Sequence, residues 1–222
     1  MLERIDVIGR GRVGTAVAGR LRQRGIDTDS PDPELVLLCV PDGAIADVAA
    51  SIPTGPWVAH VSGATPLSAL APHERRLGVH PLQTFTLDRG PEQLDGAWAA
   101  VTAETPDALA VGWSLAETLG LRPFELAEES RTLYHAGAVF VSNYLVTLHR
   151  AAELLFDSAG APPEALEPLM RRTIDNDFQL TGPISRGDWT TIDAHRDAIH
   201  SERPELDRLY ETLADATMEL VP

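Results

Sequence analysis

The chain has 222 residues, 44% hydrophobic and 23% charged, enough for one large domain or two small ones around a real core. Its net charge of −15 argues against nucleic acid, where binding rests on Lys and Arg neutralising phosphates. All 18 basic residues are arginine, which excludes Schiff-base chemistry, a P-loop lysine and a lysine general acid.

No apolar run approaches the roughly 18 residues of a membrane span, so no membrane partner is expected. The N-terminus runs straight into a strand, leaving no room for a signal peptide, and a cytoplasmic location is expected. The single cysteine, Cys39, sits in an apolar stretch and rules out an internal disulfide or a Cys-based zinc site. The seven histidines show no H-x-x-x-H or H-E-x-x-H spacing, so no metal is expected.

Taken in chain order, Ile5-Asp6-Val7-Ile8 has the length and β-branched content of a buried strand. Gly9-Arg10-Gly11-Arg12-Val13-Gly14 follows, and Val13, Ala16, Val17 and Leu21 then recur with the spacing of one helix face. Strand, glycine turn and helix together form the context in which G-x-G-x-x-G points to a nucleotide. Gly9 would allow the turn, Gly11 the approach of a pyrophosphate, and Gly14 close packing of helix on strand. Unpaired N–H groups at the helix N-terminus would face the phosphates.

The helix should end near Arg24-Gly25, before a second strand and helix. Only Ile26 to Pro33 intervenes before Leu35-Val36-Leu37-Leu38-Cys39-Val40, and Pro31 and Pro33 forbid a helix there. The second strand is therefore vestigial and its helix missing. Asp27 and Asp29 stand about 20 residues past Gly9, where a carboxylate would hold the ribose of NAD, or they are solvated turn residues. Arg10 and Arg12 are the basic groups within reach of a 2′-phosphate, so the cofactor is NAD or NADP without a decision between them.

Val40-Pro41-Asp42 closes the next strand, where open α/β sheets bind ligands, and a helix through Ile45, Val48 and Ile52 follows. Trp57 to Val61 is another strand, ending in Ser62-Gly63-Ala64. A helical turn near Leu67 to Leu70 leads to a strand over Leu77 to Pro81. Strands over Ala97 to Val101 and Leu121 to Leu126 flank a helix over Pro106 to Leu119. The alternation predicts a Rossmann-type α/β fold, a mainly parallel sheet with helices on both faces and a truncated second βα unit.

After Ala127 the pattern becomes all-helical, giving a dinucleotide-binding domain over 1–127 and a helical substrate and dimerisation domain over 128–222. Glu129 to about Ser158 lacks proline and is apolar on nearly every face. It reads as a buried helix of roughly 30 residues, on the order of 45 Å. Pro162-Pro163 begins a helix to about Leu180, and shorter ones open near Asp188 and after Pro204.

His60 and Ser62 lie on one side of a strand end and His80 ends the next strand, where a proton donor for hydride chemistry would stand, or His60 and His80 are each a hydrogen-bonded structural histidine. His135 has Ser142 and Asn143 seven and eight residues later, about 20° and 80° away on an α-helical wheel. Such polar groups on an apolar helix need partners or a ligand cleft. His73, His149, His195 and His200 read as surface or packing residues. Arg186, in Gly182 to Asp188, would clamp a substrate carboxylate or merely belong to a helix stop, a turn and an Asp N-cap.

Several phrases together resemble one family: the glycine turn, Val40-Pro41-Asp42, His60-Val61-Ser62-Gly63-Ala64, His80-Pro81-Leu82-Gln83-Thr84-Phe85, Tyr134-His135-Ala136 with Ser142-Asn143-Tyr144, and Gly182 to Asp188. The chain is similar to Rossmann-like oxidoreductases carrying a C-terminal helical domain of unknown function. These are related to the 6-phosphogluconate-dehydrogenase-like superfamily, which includes ketopantoate reductase, pyrroline-5-carboxylate reductase and prephenate dehydrogenase. The resemblance implies an NAD(P)H-dependent reductase, often a homodimer, acting on a small 2-oxo acid or imine. The nearest equivalents of that family's catalytic groups are His135 as proton donor and Asn143 orienting the substrate; His80 and Ser62 are the second choice for the acid or for substrate binding, and His60, Ser142 and Arg186 are the expected substrate contacts. Gly9 to Gly14, Val40, Pro41, Asp42 and Ser62 would hold the cofactor. Ketopantoate reductases use a lysine on the first long helix of the second domain, and this chain has none. The rival reading is a nucleotide sensor or dimeric interaction protein without turnover, and a third is a structural remnant that binds nothing.

Overall fold

The computed structural model describes residues 2–221. They form a six-stranded sheet whose strands lie side by side in the order in which they occur in the chain. The strands are β1 (Ile5–Ile8), β2 (Leu35–Leu38), β3 (Trp57–His60), β4 (Arg76–Leu82), β5 (Trp98–Ala103) and β6 (Arg122–Glu125). All neighbours are parallel except the antiparallel pair β4 and β5. The vestigial second strand is a single parallel bridge, Arg4 to Asp27, beside β1.

Helices cover both faces, as the alternation requires. On one face α1 (Arg12–Gln23) and α3 (Pro106–Thr118) pack on Ile5, Val7, Leu35, Leu37, Leu77, Val79 and Val101. On the other, α2 (Ile45–Ser51) and a 3₁₀ turn (Leu67–Leu70) pack on Val36, Leu38 and Val58. Strand β2 is buried throughout, which is why it reads as an unbroken apolar run and does not alternate.

Beyond the sheet come α4 (Arg131–Val139), a π-helical stretch (Phe140–Tyr144), α5 (Leu145–Ala159), α6 (Leu166–Asp175), α7 (Trp189–Glu202) and α8 (Asp207–Met218). By contacts the chain divides into two compact units between Phe140 and Val141, so α4 packs with the sheet. In the second unit the N-cap of α7 is Asp188, whose carboxylate accepts from the Thr191 N–H and hydroxyl at 3.2 and 2.8 Å. Helices α7 and α8 are tied by Arg196 to Asp207 and Glu211 and by His195 Nδ1 with the Tyr210 hydroxyl at 2.8 Å.

Two expectations are corrected. The helix expected to reach Leu180 ends at Asp175, because Asp177 and Phe178 take left-handed φ values of 53° and 54° that no α-helix continues. The long helix expected to be buried is exposed in the single chain. Arg131 is its only buried residue among α4, the π stretch and α5.

Candidate functional site

The glycine turn leaves β1 as the spacing requires. Gly9 adopts φ +115°, and a methyl there would run into the Cys39 carbonyl, while one at Gly14 would meet the Gly9 carbonyl. Gly11 is the N-cap of α1 and has nothing within 4 Å of where a Cβ would stand. No side chain caps this helix, no acidic residue occupies its first turn, and Arg12 at its start is exposed. Arg10 pairs with Asp29 at 3.0 Å, both exposed. Val40 and Pro41 lead from β2 into a 3₁₀ turn begun by exposed Asp42.

A second cluster is built on the sheet itself. His60, Gly78 and Thr102 are register partners across β3, β4 and β5, so their positions share one face. Gly78 leaves a gap in this row, and the guanidinium of Arg131 fills it: a methyl at Gly78 would stand 2.9 Å from Arg131 Nη1 and 3.2 Å from His60 Cε1. Arg131 Nη1 donates to the Thr102 hydroxyl at 2.9 Å and Nη2 to the Ser62 carbonyl, while Nε is buried without a hydrogen bond. Glu128 Oε2 lies 3.9 Å from that Nε, and its Oε1 accepts from the Leu67 N–H at 2.7 Å.

One row towards the strand ends, His80, Ala100 and Phe124 are the register partners. Tyr134 and His135 follow Arg131 by three and four residues, so α4 presents all three on one side. The Tyr134 ring stands edge-on to both His80 and Phe124, at 5.5 and 5.9 Å between centroids. Its hydroxyl is 2.9 Å from His80 Nδ1. The His80 and His135 rings lie 5.8 Å apart at 76°. They meet over Gly63, where a methyl would stand 2.5 Å from His135 Cδ2 and 2.9 Å from His80 Nε2.

Burial sets the protonation of this cluster. Desolvation, then the nearby Arg131 charge, pushes His60 down to about 3, and the ring is wholly enclosed with neither nitrogen hydrogen-bonded. His80 is pushed down to about 4 by desolvation, His135 and Arg131, against an opposing pull from Asp42. Burial pushes the Tyr134 phenol up to about 12. Both histidines are therefore neutral near pH 7, and Tyr134 keeps its proton.

Several expected residues stand differently. His60 is sealed in the sheet face and offers no surface to a substrate. The Ser62 hydroxyl is engaged by its own turn, donating to Thr65 Oγ1 and accepting from the N–H groups of Ala64 and Thr65. Asn143 is exposed, and its Oδ1 accepts from Ser142 Oγ at 3.2 Å. The α-helical wheel relating His135 to Asn143 does not apply, because the intervening backbone is π-helical. Ser142, Asn143 and exposed Arg186 belong to the second unit. Arg131 and Tyr134 carried no expected role, although the i, i+3 and i, i+4 spacing of Tyr134 and His135 from Arg131 was readable. Nothing in the sequence marks the gap at Gly78.

A cleft of about 780 Å³ opens where the crossover helix is missing, lined by Asp6, Ile8, Pro33, Val36, Trp57 and Arg75 among others. It shares no residue with the glycine turn or the histidine row. No His, Cys, Asp and Glu cluster that could hold a metal occurs among the described residues. No helix among them is long and apolar enough to cross a membrane.

A glycine turn opening a helix at the carboxyl edge of a mostly parallel sheet, followed by a helical portion, defines a Rossmann-like α/β protein. A family model described as a domain of unknown function, DUF2520, matches residues 97–217, more than half of the chain, and the chain belongs to that family. In fold it is similar to a provisionally described NADP oxidoreductase from Bacteroides fragilis, with TM-score 0.82, 23% identity and 98% of each chain covered. It is similar also to a protein from Thermotoga maritima, with TM-score 0.78, 23% identity and 97% of each chain covered. A reductive aminase from Aspergillus terreus, in complex with NADPH and ethyl levulinate, has TM-score 0.69 at 14% identity over 99% of this chain and 94% of that one. Among curated protein sequences none matches the chain.

Proposed function

We propose that this protein is an NAD(P)H-dependent oxidoreductase that reduces a small 2-oxo acid or imine, in the manner of ketopantoate reductase and the 6-phosphogluconate-dehydrogenase-like enzymes. The observation that carries the reading is the pair His80 and His135, meeting over Gly63 past the end of β3, on the same carboxyl edge as the glycine turn. The fold relatives described as an NADP oxidoreductase and a reductive aminase support it.

The residues present fit a dinucleotide's phosphates. The space above Gly11, the uncapped start of α1 and the absence of acidic side chains in its first turn suit an anion. Arg10 and Arg12 flank that space, and Val40, Pro41, Asp42 and Ser62 would line its continuation. A bound nicotinamide would supply the hydride. His135 would give the proton to the reduced atom, and His80 would hydrogen-bond that atom while it gains charge. Ser142, Asn143 and Arg186, from the segment 128–222, would orient the substrate. That segment would also form a homodimer: Val141, Val146 and Leu148 are 73%, 61% and 40% exposed in the single chain, an apolar surface that association would cover.

Thermal shift with NADPH and NADH tests binding. Absorbance of the reduced nicotinamide, with a panel of 2-oxo acids and cyclic imines, tests turnover. Clear binding with no oxidation by any substrate would leave the nucleotide-sensor reading, which the missing second βα unit favours because that unit ordinarily shapes the adenosine pocket.

A further inference from the structure

We propose, resting on the reductase reading above, that Tyr134 is a positioning residue holding His80 as its Nε2–H tautomer, so that the site presents a fixed hydrogen-bond donor over Gly63 and is built for a carbonyl oxygen.

The geometry comes first. The Tyr134 hydroxyl and His80 Nδ1 are 2.9 Å apart, a full hydrogen bond. Both partners are held. His80 is fixed in β4, and Tyr134 is packed against Phe124 on a helix whose first turn is anchored through Arg131 in the gap at Gly78. The other edge of the His80 ring, carrying Nε2, faces the Gly63 backbone and makes no hydrogen bond among the described residues. Glycine at position 63 leaves that edge open, since a methyl would stand 2.9 Å from both Cε1 and Nε2.

The direction of the proton follows from the two partners. A phenolic oxygen shares its lone pairs with the ring and accepts weakly, whereas an imidazole nitrogen accepts strongly. The phenol O–H is also the more acidic donor. Tyr134 therefore donates and Nδ1 accepts. A neutral imidazole carries one N–H, so the proton stands on Nε2. The ring is neutral in the working pH range: burial, His135 and Arg131 on α4 oppose its charge, with only Asp42 favouring it. His60 behind it is neutral as well.

A neutral donor of fixed direction suits an oxygen that becomes negative as its carbon is reduced. It cannot accept a hydrogen bond from the N–H of a protonated imine. His80 keeps its proton throughout and contributes a hydrogen bond, no atom. Of the two substrate classes, the 2-oxo acid is the one this arrangement selects.

The test is a multiple-bond ¹H–¹⁵N correlation on the ligand-free, full-length protein labelled at histidine, with His80 assigned by its loss in His80→Gln. The expected spectrum has a protonated Nε2 and a bare Nδ1 at pH 7, unchanged at pH 5, with a coupling from the Tyr134 hydroxyl proton to Nδ1. A proton on Nδ1, or the coupling running from Nδ1–H to the tyrosine oxygen, overturns the proposal. Tyr134→Phe should give mixed tautomers, and an unchanged Nε2–H spectrum in that variant would deny Tyr134 its role. The wild-type coupling decides the same point should the variant not fold. Thermal shift with NADPH on the same sample separates the two readings: Nε2–H without cofactor binding sinks the reductase reading alone, and binding with Nδ1–H sinks this one alone. In a binding protein, 2-oxo acids should exceed matched cyclic imines in kcat/KM by about tenfold, one hydrogen bond's worth, and the reverse preference overturns the carbonyl assignment.

Discussion

Lowering the pH from 7 to 5 should destabilise the sheet unit through His60 and His80. In the folded protein both rings stay neutral across this interval, because burial pushes His60 down to about 3 and His80 down to about 4. In the unfolded chain each returns to its ordinary value of 6.5 and takes up a proton as the pH falls. Stability is therefore full above about pH 6.5 and declines below it, levelling off only where the folded rings themselves protonate, near pH 3 to 4. At pH 5 each ring costs roughly 2 kcal/mol relative to pH 7, about 4 kcal/mol together. Carboxylates contribute little in this window, since they titrate mostly below it. Urea unfolding followed by tryptophan fluorescence reports on the unit directly, because Trp57, Trp98 and Trp113 lie in it. The discriminating variant is His60→Gln. Its absolute stability is lower at every pH, as a buried amide without partners is expensive. Its loss between pH 7 and 5 should be smaller than the wild type's by roughly 2 kcal/mol. Equal losses in the two proteins would refute the assignment of His60 as a neutral buried ring.

Gly63→Ala forces the His80 and His135 rings apart, and His80 is tethered to Tyr134, so a cost of about 1–3 kcal/mol is expected. Calorimetry should show a lower melting temperature with NADPH affinity retained, and an unchanged melt would mean that the rings do not crowd that turn. Arg131→Met removes two charge-assisted hydrogen bonds, to Thr102 and to the Ser62 carbonyl, at about 3–5 kcal/mol in total. The Thr102 hydroxyl keeps its own bond to the Leu126 carbonyl, which limits the damage at β5, and chemical denaturation measures the remainder. Val146→Glu should convert a dimer to a monomer in sedimentation velocity while changing secondary structure little. A wild-type protein already monomeric at micromolar concentration would remove the dimer proposal.

Much of the fold was readable because its signals are local. Proline at 31 and 33 forbade the crossover helix, and the bridge at Asp27 is all that remains of the second strand. Thr105 and Asp188 cap helices where the apolar pattern begins. Burial of the long helix was misjudged because an apolar periodicity reports what wants covering, not what covers it. The π stretch was invisible for a related reason: Phe140–Tyr144 contains no glycine or proline to announce a change of helical period. At the site, the glycine turn was legible from its spacing and His80 from its place at a strand end. Arg131 was missed because its role depends on Gly78, over fifty residues earlier and empty only in the context of its sheet partners. His60 was expected to contact substrate for the opposite reason, since the side chain that seals it comes from α4.

The consecutive strand order has a consequence for how the chain assembles. In a doubly wound sheet with its full second βα unit, the chain travels through further strands before returning to flank β1. Here each strand of the sheet pairs with the one synthesised just before it. Loop closures are then short, contact order within the sheet is low, and no strand need wait exposed for a distant partner. The sheet can grow strand by strand from the ribosome, with β1 to β4 joined before α5 to α8 have been made.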